Sequence, residues 1–112
     1  MNHDDKTEAQ SKLAAACEAA GVFPGHVYTH CQAAGEYVVF TITLDEVTLE
    51  PLVHYYSLTY RTRWTRTLAV FTERVRMDVF RRFAYVRPAT LEEFLAAIDV
   101  RLTVAPGGSR ET

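Results

Sequence analysis

Arginine and aromatic side chains are interleaved through the middle of the chain, and this combination is suited to binding planar anions. Residues 61–87 contain eight arginines and two acidic residues, whereas residues 1–60 contain two lysines and eight acidic residues. A guanidinium pairs with carboxylate or phosphate through two parallel hydrogen bonds and stacks on aromatic rings. The block therefore predicts an anion-binding face, although solvated arginines on alternate strand positions would give the same pattern.

The tyrosines, the tryptophan and several arginines of two neighbouring predicted strands could form one binding site. A cup of aromatic rings with arginines beside it would suit a planar base that carries a phosphate. The predicted ligand-binding residues are Tyr55, Tyr56, Tyr60, Arg61, Arg63, Trp64, Arg66 and His54.

The residue patterns of common catalytic and metal sites are missing. The sequence has no GxSxG, GxxxxGK[ST], GxGxxG or HExxH motif. His26 and His30 share a strand face, but about 13 Å of strand separates them, which is too far for one metal ion. Asp45, Glu46 and Glu50 cluster at a turn, which solvation explains more simply than Mg²⁺ binding. We predict no catalytic residue, metal or cofactor, and favour a non-enzymatic protein over an enzyme acting on a nucleotide.

Length and composition restrict the class of protein. The chain has 112 residues, of which 48% are hydrophobic and 23% charged, as expected for one globular domain. No stretch reaches the roughly 20 apolar residues of a membrane span, and the N-terminus shows no secretory signal. We therefore expect a cytoplasmic protein that does not contact a membrane. The sequence pI of about 6.1 argues against a general nucleic-acid binder.

The hydropathy pattern predicts two helices around a group of short strands. Residues 6–20 are rich in helix formers and end at Gly21. Thr90 and Glu93 form a capping box that opens a second helix. The predicted strands are residues 26–31, 36–44 and 52–60, followed by 64–71 as strand with a short helical turn as an alternative for part of it, and one or two edge strands within 74–85. This order predicts an α+β fold, a small curled antiparallel β-sheet or barrel flanked by an N-terminal and a C-terminal helix.

The same patterns predict the organisation of the chain and its buried faces. We expect an N-terminal helical extension (1–23), a compact β domain with the C-terminal helix (24–104) and a flexible tail (105–112). One face of the clearest strand should carry Val38, Phe40, Ile42 and Leu44. The second helix should bury Leu91, Phe94, Leu95 and Ile98.

Several separated segments, taken in order, resemble a known family. They are Pro24–His30, Glu36–Tyr37, Thr48–Tyr55, Trp64–Leu68, Phe71–Glu73 and Arg82–Phe83. Together they are similar to the bacterial and phage family known as domain of unknown function 1653, over about residues 24–85. The resemblance implies a compact β domain and an intracellular setting. Members of that family stand alone or beside nucleotide-handling domains and have no assigned reaction.

This chain departs from the family pattern mainly at predicted turns. The departures are at Ala34–Gly35, usually Gly-Gly, at Asp45–Thr48, at Tyr60–Arg63, and at Thr67, usually proline. Ligand contacts are concentrated in loops. The ligand can therefore differ from that of other members.

Three functions are compatible with these observations. The first is a small binding module that binds or sequesters a nucleotide-like anionic ligand, as a phage protein countering host defence signalling could do. The second is a protein-interaction or inhibitor module, in which the basic face Arg61–Arg87 engages an acidic protein and the terminal helices form a homodimer or higher homo-oligomer. The third is nucleic-acid binding through the same arginines.

Overall fold

The chain folds into a five-stranded antiparallel sheet with helices on both faces, in a computed structural model that describes residues 3–30, 35–75 and 80–99. The predicted tail, residues 105–112, lies outside these ranges. The elements are α1 (His3–Ala20), β1 (His26–His30), β2 (Glu36–Leu44), β3 (Pro51–Ser57), β4 (Arg63–Thr67), α2 (Leu68–Phe71), β5 (Arg74–Val75), β6 (Phe80–Arg81), β7 (Phe83–Pro88) and α3 (Leu91–Ile98).

The strand order explains why the sheet is open. The order is β4-β3-β2-β1-β7, while β5 and β6 form a separate two-stranded sheet. All neighbouring strands of the large sheet are antiparallel, and β4 and β7 stand at opposite edges. The predicted α+β fold is confirmed as an open sheet, not a barrel. The last strand extends to Pro88, beyond the predicted limit, at an edge where the missing N–H of proline is tolerated.

One face of the sheet is covered by α1 and α2. Ala16 and Ala20 of α1 pack against the buried residues of this face, which we call the first face. At its centre the rings of Phe71 and Phe83 stack with centroids 4.1 Å apart and planes at 4°. The buried members are Val22, Tyr28, Tyr37, Val39, Val53, Tyr55, Leu68, Phe71 and Phe83.

The second face is covered by α3, and the helix lies on it differently from the prediction. Ala97 is fully buried there against Val27, Val38 and Tyr56, with Phe94 packed beside them. The prediction that α3 also buries its larger aliphatic side chains is wrong, because the small alanine lets the helix approach the sheet closely. Those side chains are Leu91, Leu95 and Ile98, which are 74%, 50% and 42% exposed.

A β-bulge changes which residues of β2 share a face. Val39 pairs with Tyr55 and Thr41 with His54, so one extra residue of β2 lies between two successive pairs. Because the extra residue reverses the alternation of side chains, Val38 and Phe40 face α3 whereas Ile42 packs on the first face. The prediction that Ile42 shares a face with Val38 is therefore wrong.

Both predicted helix boundaries are confirmed. Gly21 adopts a φ of +71° and its N–H donates to Cys17 O at 2.9 Å, which ends α1. At α3, Thr90 and Glu93 form the complete capping box. In the described part of the chain, none of the helices combines the length and the apolar character that a membrane span requires.

Candidate functional site

A cavity of about 330 Å³ opens on the first face of the sheet. Its walls are mainly aromatic, and its polar groups come from β1, β3 and β4. The aromatic residues are Tyr37, Tyr55, Tyr60, Trp64 and Phe83, and the other lining residues are His30, Ser57 and Arg66. Such a volume is at the small end of ordinary ligand pockets.

Strand alternation and register bring these side chains together. Tyr55 and Ser57 are two residues apart on β3, so they point to the same face. Trp64 of β4 stands opposite Tyr55, and Tyr37 of β2 stands opposite Ser57. Three adjacent strands therefore build one continuous aromatic surface.

The cavity has a buried floor and an exposed mouth. Tyr55 and Phe83 are 3% and 4% exposed, whereas Trp64 and Tyr60 are 54% and 70% exposed. The faces of these exposed aromatic rings at the mouth are not covered by other side chains, so they are available for stacking with a ligand. A planar ligand could therefore stack at the mouth without displacing the core.

The turn after β3 holds Tyr60 at the mouth. Ser57 Oγ accepts a hydrogen bond from Tyr60 N at 2.9 Å, and Ser57 O accepts one from Arg61 N at 2.8 Å. Arg61 takes a positive φ of 56°, which closes the turn. On its other side the turn is tied to β2, because Leu58 N donates to Glu36 O at 3.0 Å.

Arg66 is the cation of the cavity. Its Nε donates to the Tyr55 hydroxyl at 2.8 Å, and its guanidinium carbon lies 5.9 Å from the Phe83 ring centroid. No carboxylate pairs with Arg66 within residues 3–30, 35–75 and 80–99. The Nη groups of this arginine therefore offer a positively charged, fork-shaped donor to a ligand.

His30 adds an imidazole ring to the wall. It packs edge-on against Phe83 with centroids 4.8 Å apart. Burial lowers the pKa of His30, and the positive charges of Arg66 and Arg82 lower it further. Its surroundings therefore disfavour the protonated form of the ring.

Four of the eight predicted ligand-binding residues line this cavity: Tyr55, Tyr60, Trp64 and Arg66. Tyr56 and Arg61 instead line a second cavity of about 330 Å³ beside α3. The difference follows from the strand geometry, since adjacent residues such as Tyr55 and Tyr56 point to opposite faces. The predicted single cup is thus divided between the two faces of the sheet.

Arg63 and His54 serve the second face. Arg63 Nε donates to Ala97 O at 2.7 Å, and one of its Nη groups donates to Asp99 O at 2.8 Å. The His54 ring is hydrogen-bonded to Thr43 at 2.7 Å and to Thr65 at 3.0 Å, and burial lowers its pKa. Neither residue lines the candidate site, because their side chains alternate away from it.

Four lining residues were missing from the prediction: His30, Tyr37, Ser57 and Phe83. Ser57 had a usable signal, because it follows Tyr55 by two positions and must share its face. Tyr37 and Phe83 could not be placed without knowing which strands pair. His30 shares that limitation, since its partner Phe83 is on β7.

Most arginines of the basic block whose side chains are described make contacts within the protein. Arg82 pairs with Glu73 at 2.6 Å. Arg87 pairs with Glu36 at 2.7 Å and with Glu93 at 2.8 Å, which holds the pKa of Glu93 at about 2. Carboxylates therefore compensate the positive charges of Arg82 and Arg87.

In the described residues, no three His, Cys, Asp or Glu side chains come close enough together to bind a metal ion. Asp45 acts within its own turn, because its carboxylate accepts hydrogen bonds from Val47 N and Thr48 N at 2.8 and 2.9 Å. These bonds lower the pKa of Asp45. These hydrogen bonds show that the Asp45 carboxylate stabilises its own turn.

A family model described as a protein of unknown function, DUF1653, matches residues 26–85, which is more than half of the chain. The chain belongs to the DUF1653 family. A crystal structure of a DUF1653 protein from Bordetella bronchiseptica is 30% identical in sequence, with a TM-score of 0.51 over 61% of this chain and 92% of that chain. No curated protein matches this chain.

The DUF1653 region and the cavity coincide. The match begins at the first residue of β1 and ends within β7, so α1 and α3 lie outside it. Every residue that lines the cavity falls inside residues 26–85. The candidate site therefore belongs to the DUF1653 domain itself, and the terminal helices cover the sheet around it.

Proposed function

We propose that this protein is a binding module for a small, planar, anionic ligand of the nucleotide class. The observation that carries the proposal is that Arg66, a guanidinium without a carboxylate partner in the described residues, lines the same cavity as the exposed rings of Trp64 and Tyr60. A ring that stacks on Trp64 and an anionic group that pairs with Arg66 would use both features.

The charge of the cavity favours a ligand with one anionic group. Among the lining residues that the structure describes, Arg66 is the single permanently charged one and none is acidic. Arg61 and Arg63 lie elsewhere, so the three-arginine site predicted for a phosphate is reduced to one arginine. A nucleoside monophosphate therefore matches the site better than a di- or triphosphate, whose further charges would find no partner there.

Isothermal titration calorimetry with nucleoside monophosphates tests this proposal. The wild-type protein should bind, and Arg66→Ala should weaken binding at least about tenfold, because a charge-assisted hydrogen-bond pair is lost. Arg61→Ala is the matched control, since it removes an arginine whose side chain lies outside the cavity. Absence of binding to the wild type, or equal losses in the two variants, would refute the proposal.

Trp64 supplies a second, independent readout. It is the single tryptophan of the chain, and it stands at the mouth of the cavity. Stacking of a base on its ring should change its fluorescence with the same titration midpoint as the calorimetry. The corresponding nucleosides, which have no phosphate, should bind more weakly and be insensitive to Arg66→Ala.

Sequestration of a nucleotide signal, as a phage protein acting against host defence would require, stays a prediction, and so does assembly into a homo-oligomer. The protein-interaction alternative based on the basic face has less support, because ion pairs compensate Arg82 and Arg87. Nucleic-acid binding through the same arginines is weakened by the same contacts.

A further inference from the structure

Two hydroxyl groups at the floor of the cavity each accept one hydrogen bond from the protein and have an uncommitted proton. Ser57 is 1% exposed, and its Oγ accepts the hydrogen bond from Tyr60 N. Tyr55 is 3% exposed, and its hydroxyl accepts the hydrogen bond from Arg66 Nε. Within the described residues, neither hydroxyl donates a hydrogen bond to a protein acceptor. Besides the Arg66 guanidinium, β3 therefore presents two hydroxyl groups with a proton available for donation to a ligand.

The register of β3 and β4 places Arg66 and Ser57 at opposite ends of the cavity. Arg66 stands opposite Val53, and Ser57 lies four residues further along β3. Four residues of strand span about 13 Å between Cα atoms. Trp64 and Tyr55 stand between the two ends. A ligand over this row would place its anionic group at Arg66 and the far edge of its ring at Ser57.

We infer that Ser57 selects ligands whose ring presents an oxo group in place of an amino group. The inference rests on the proposed function and specifies the ligand class. A carbonyl oxygen accepts the free proton of the Ser57 hydroxyl. An amino group would leave that proton without an acceptor at a buried position, which weakens binding by about tenfold.

Matched pairs of nucleotides isolate this effect, because UMP and CMP, or IMP and AMP, share the sugar and phosphate and differ at the oxo or amino position. Calorimetry on the wild-type protein should show about tenfold tighter binding of the oxo member in whichever pair binds. In Ser57→Ala the two members should bind with affinities within about twofold of each other. Thr65→Ala, which removes a hydroxyl on the opposite face, should keep the wild-type ratio.

The outcomes separate this inference from the proposed function. Equal binding of both members to the wild type, or tighter binding of the amino member, overturns the role of Ser57 and leaves the binding module intact. An unchanged ratio in Ser57→Ala also overturns it. Absence of binding by all four nucleotides overturns the binding module and the inference together. If Ser57→Ala does not fold, the wild-type ratio decides alone.

Discussion

Replacing Gly35 by alanine should destabilise the protein for two reasons that can be measured separately. Gly35 has a φ of +102°, and a Cβ built there would lie 2.5 Å from Thr59 Oγ1 and 3.3 Å from Thr59 Cβ. A side chain in this backbone region costs about 1–3 kcal/mol. Moving the Thr59 side chain off its preferred rotamer adds about 1 kcal/mol. We expect Gly35→Ala to lower the free energy of unfolding by about 2–4 kcal/mol.

Gly25 supplies the matched control for the backbone contribution. Its φ is +88°, and an added Cβ would meet nothing within 4 Å. Gly25→Ala should therefore show the backbone cost without the clash. Removing the obstructing oxygen with Thr59→Ala should recover about 1 kcal/mol in the Gly35→Ala background and little in the wild type.

Urea unfolding followed by circular dichroism gives the free energies of unfolding of the five proteins in this comparison: the wild type, the three single variants and the Gly35→Ala/Thr59→Ala double variant. Equal losses for Gly35→Ala and Gly25→Ala, with no recovery by Thr59→Ala, would refute the assignment of the clash. Because the turn that contains Thr59 also carries Tyr60, Gly35→Ala should weaken nucleotide binding as well. Gly25→Ala, which lies away from that turn, should leave binding unchanged.

Two further predictions concern α3 and pH. Arg63→Met should lower the free energy of unfolding, measured with urea, by about 2 kcal/mol, because the carbonyls at the end of α3 lose a charged donor. The control, Arg61→Met, should stay within about 0.5 kcal/mol of the wild type. Stability should also fall as the pH drops below about 6.5. Burial lowers the pKa of both His30 and His54, so the unfolded chain binds more protons in that range. Urea midpoints measured down to about pH 5 should decline less in His54→Gln, and an identical decline in both proteins would contradict this account.

The elements of this fold that have local causes could be predicted from the sequence. Gly21 ends α1 and Thr90 opens α3, because each acts through hydrogen bonds to residues nearby in the chain. The alternation of β2 was predicted correctly up to Phe40. Beyond it the bulge depends on how β3 pairs, which no local pattern in β2 reveals.

The orientation of α3 depended on contacts that are distant in sequence. Apolar spacing favoured burial of Leu91, Leu95 and Ile98, since they form the larger hydrophobic stripe. The helix instead buries Ala97, and Arg63 of β4 binds the carbonyls at its end. A hydrophobic pattern does not predict how closely a helix can approach the sheet at a small residue. It also does not predict a polar contact between the helix and another strand.

Half of the candidate site follows from strand alternation alone, which the predicted ligand-binding set did not respect. Side chains of adjacent strand residues point to opposite faces, so Tyr55 and Tyr56 could not line one cavity, nor could Arg63 and Trp64. Applying that rule selects Tyr55, Ser57, Trp64 and Arg66. The remaining lining residues required the strand order, and in particular the pairing of β7 with β1.

That pairing also sets the order in which the molecule can be assembled. Strands β1 to β4 follow one another in the sheet as they do in the chain, so they can form through successive short loop closures. β7 pairs with β1 only across a large separation in sequence, after the chain has passed from the β4 edge to the opposite edge of the sheet, and such non-local pairing slows folding. Phe83, on β7, completes the cavity floor at that late step. A bound ligand would stabilise the state in which β7 is paired with β1. Ligand binding would therefore be coupled to the final docking of this edge strand.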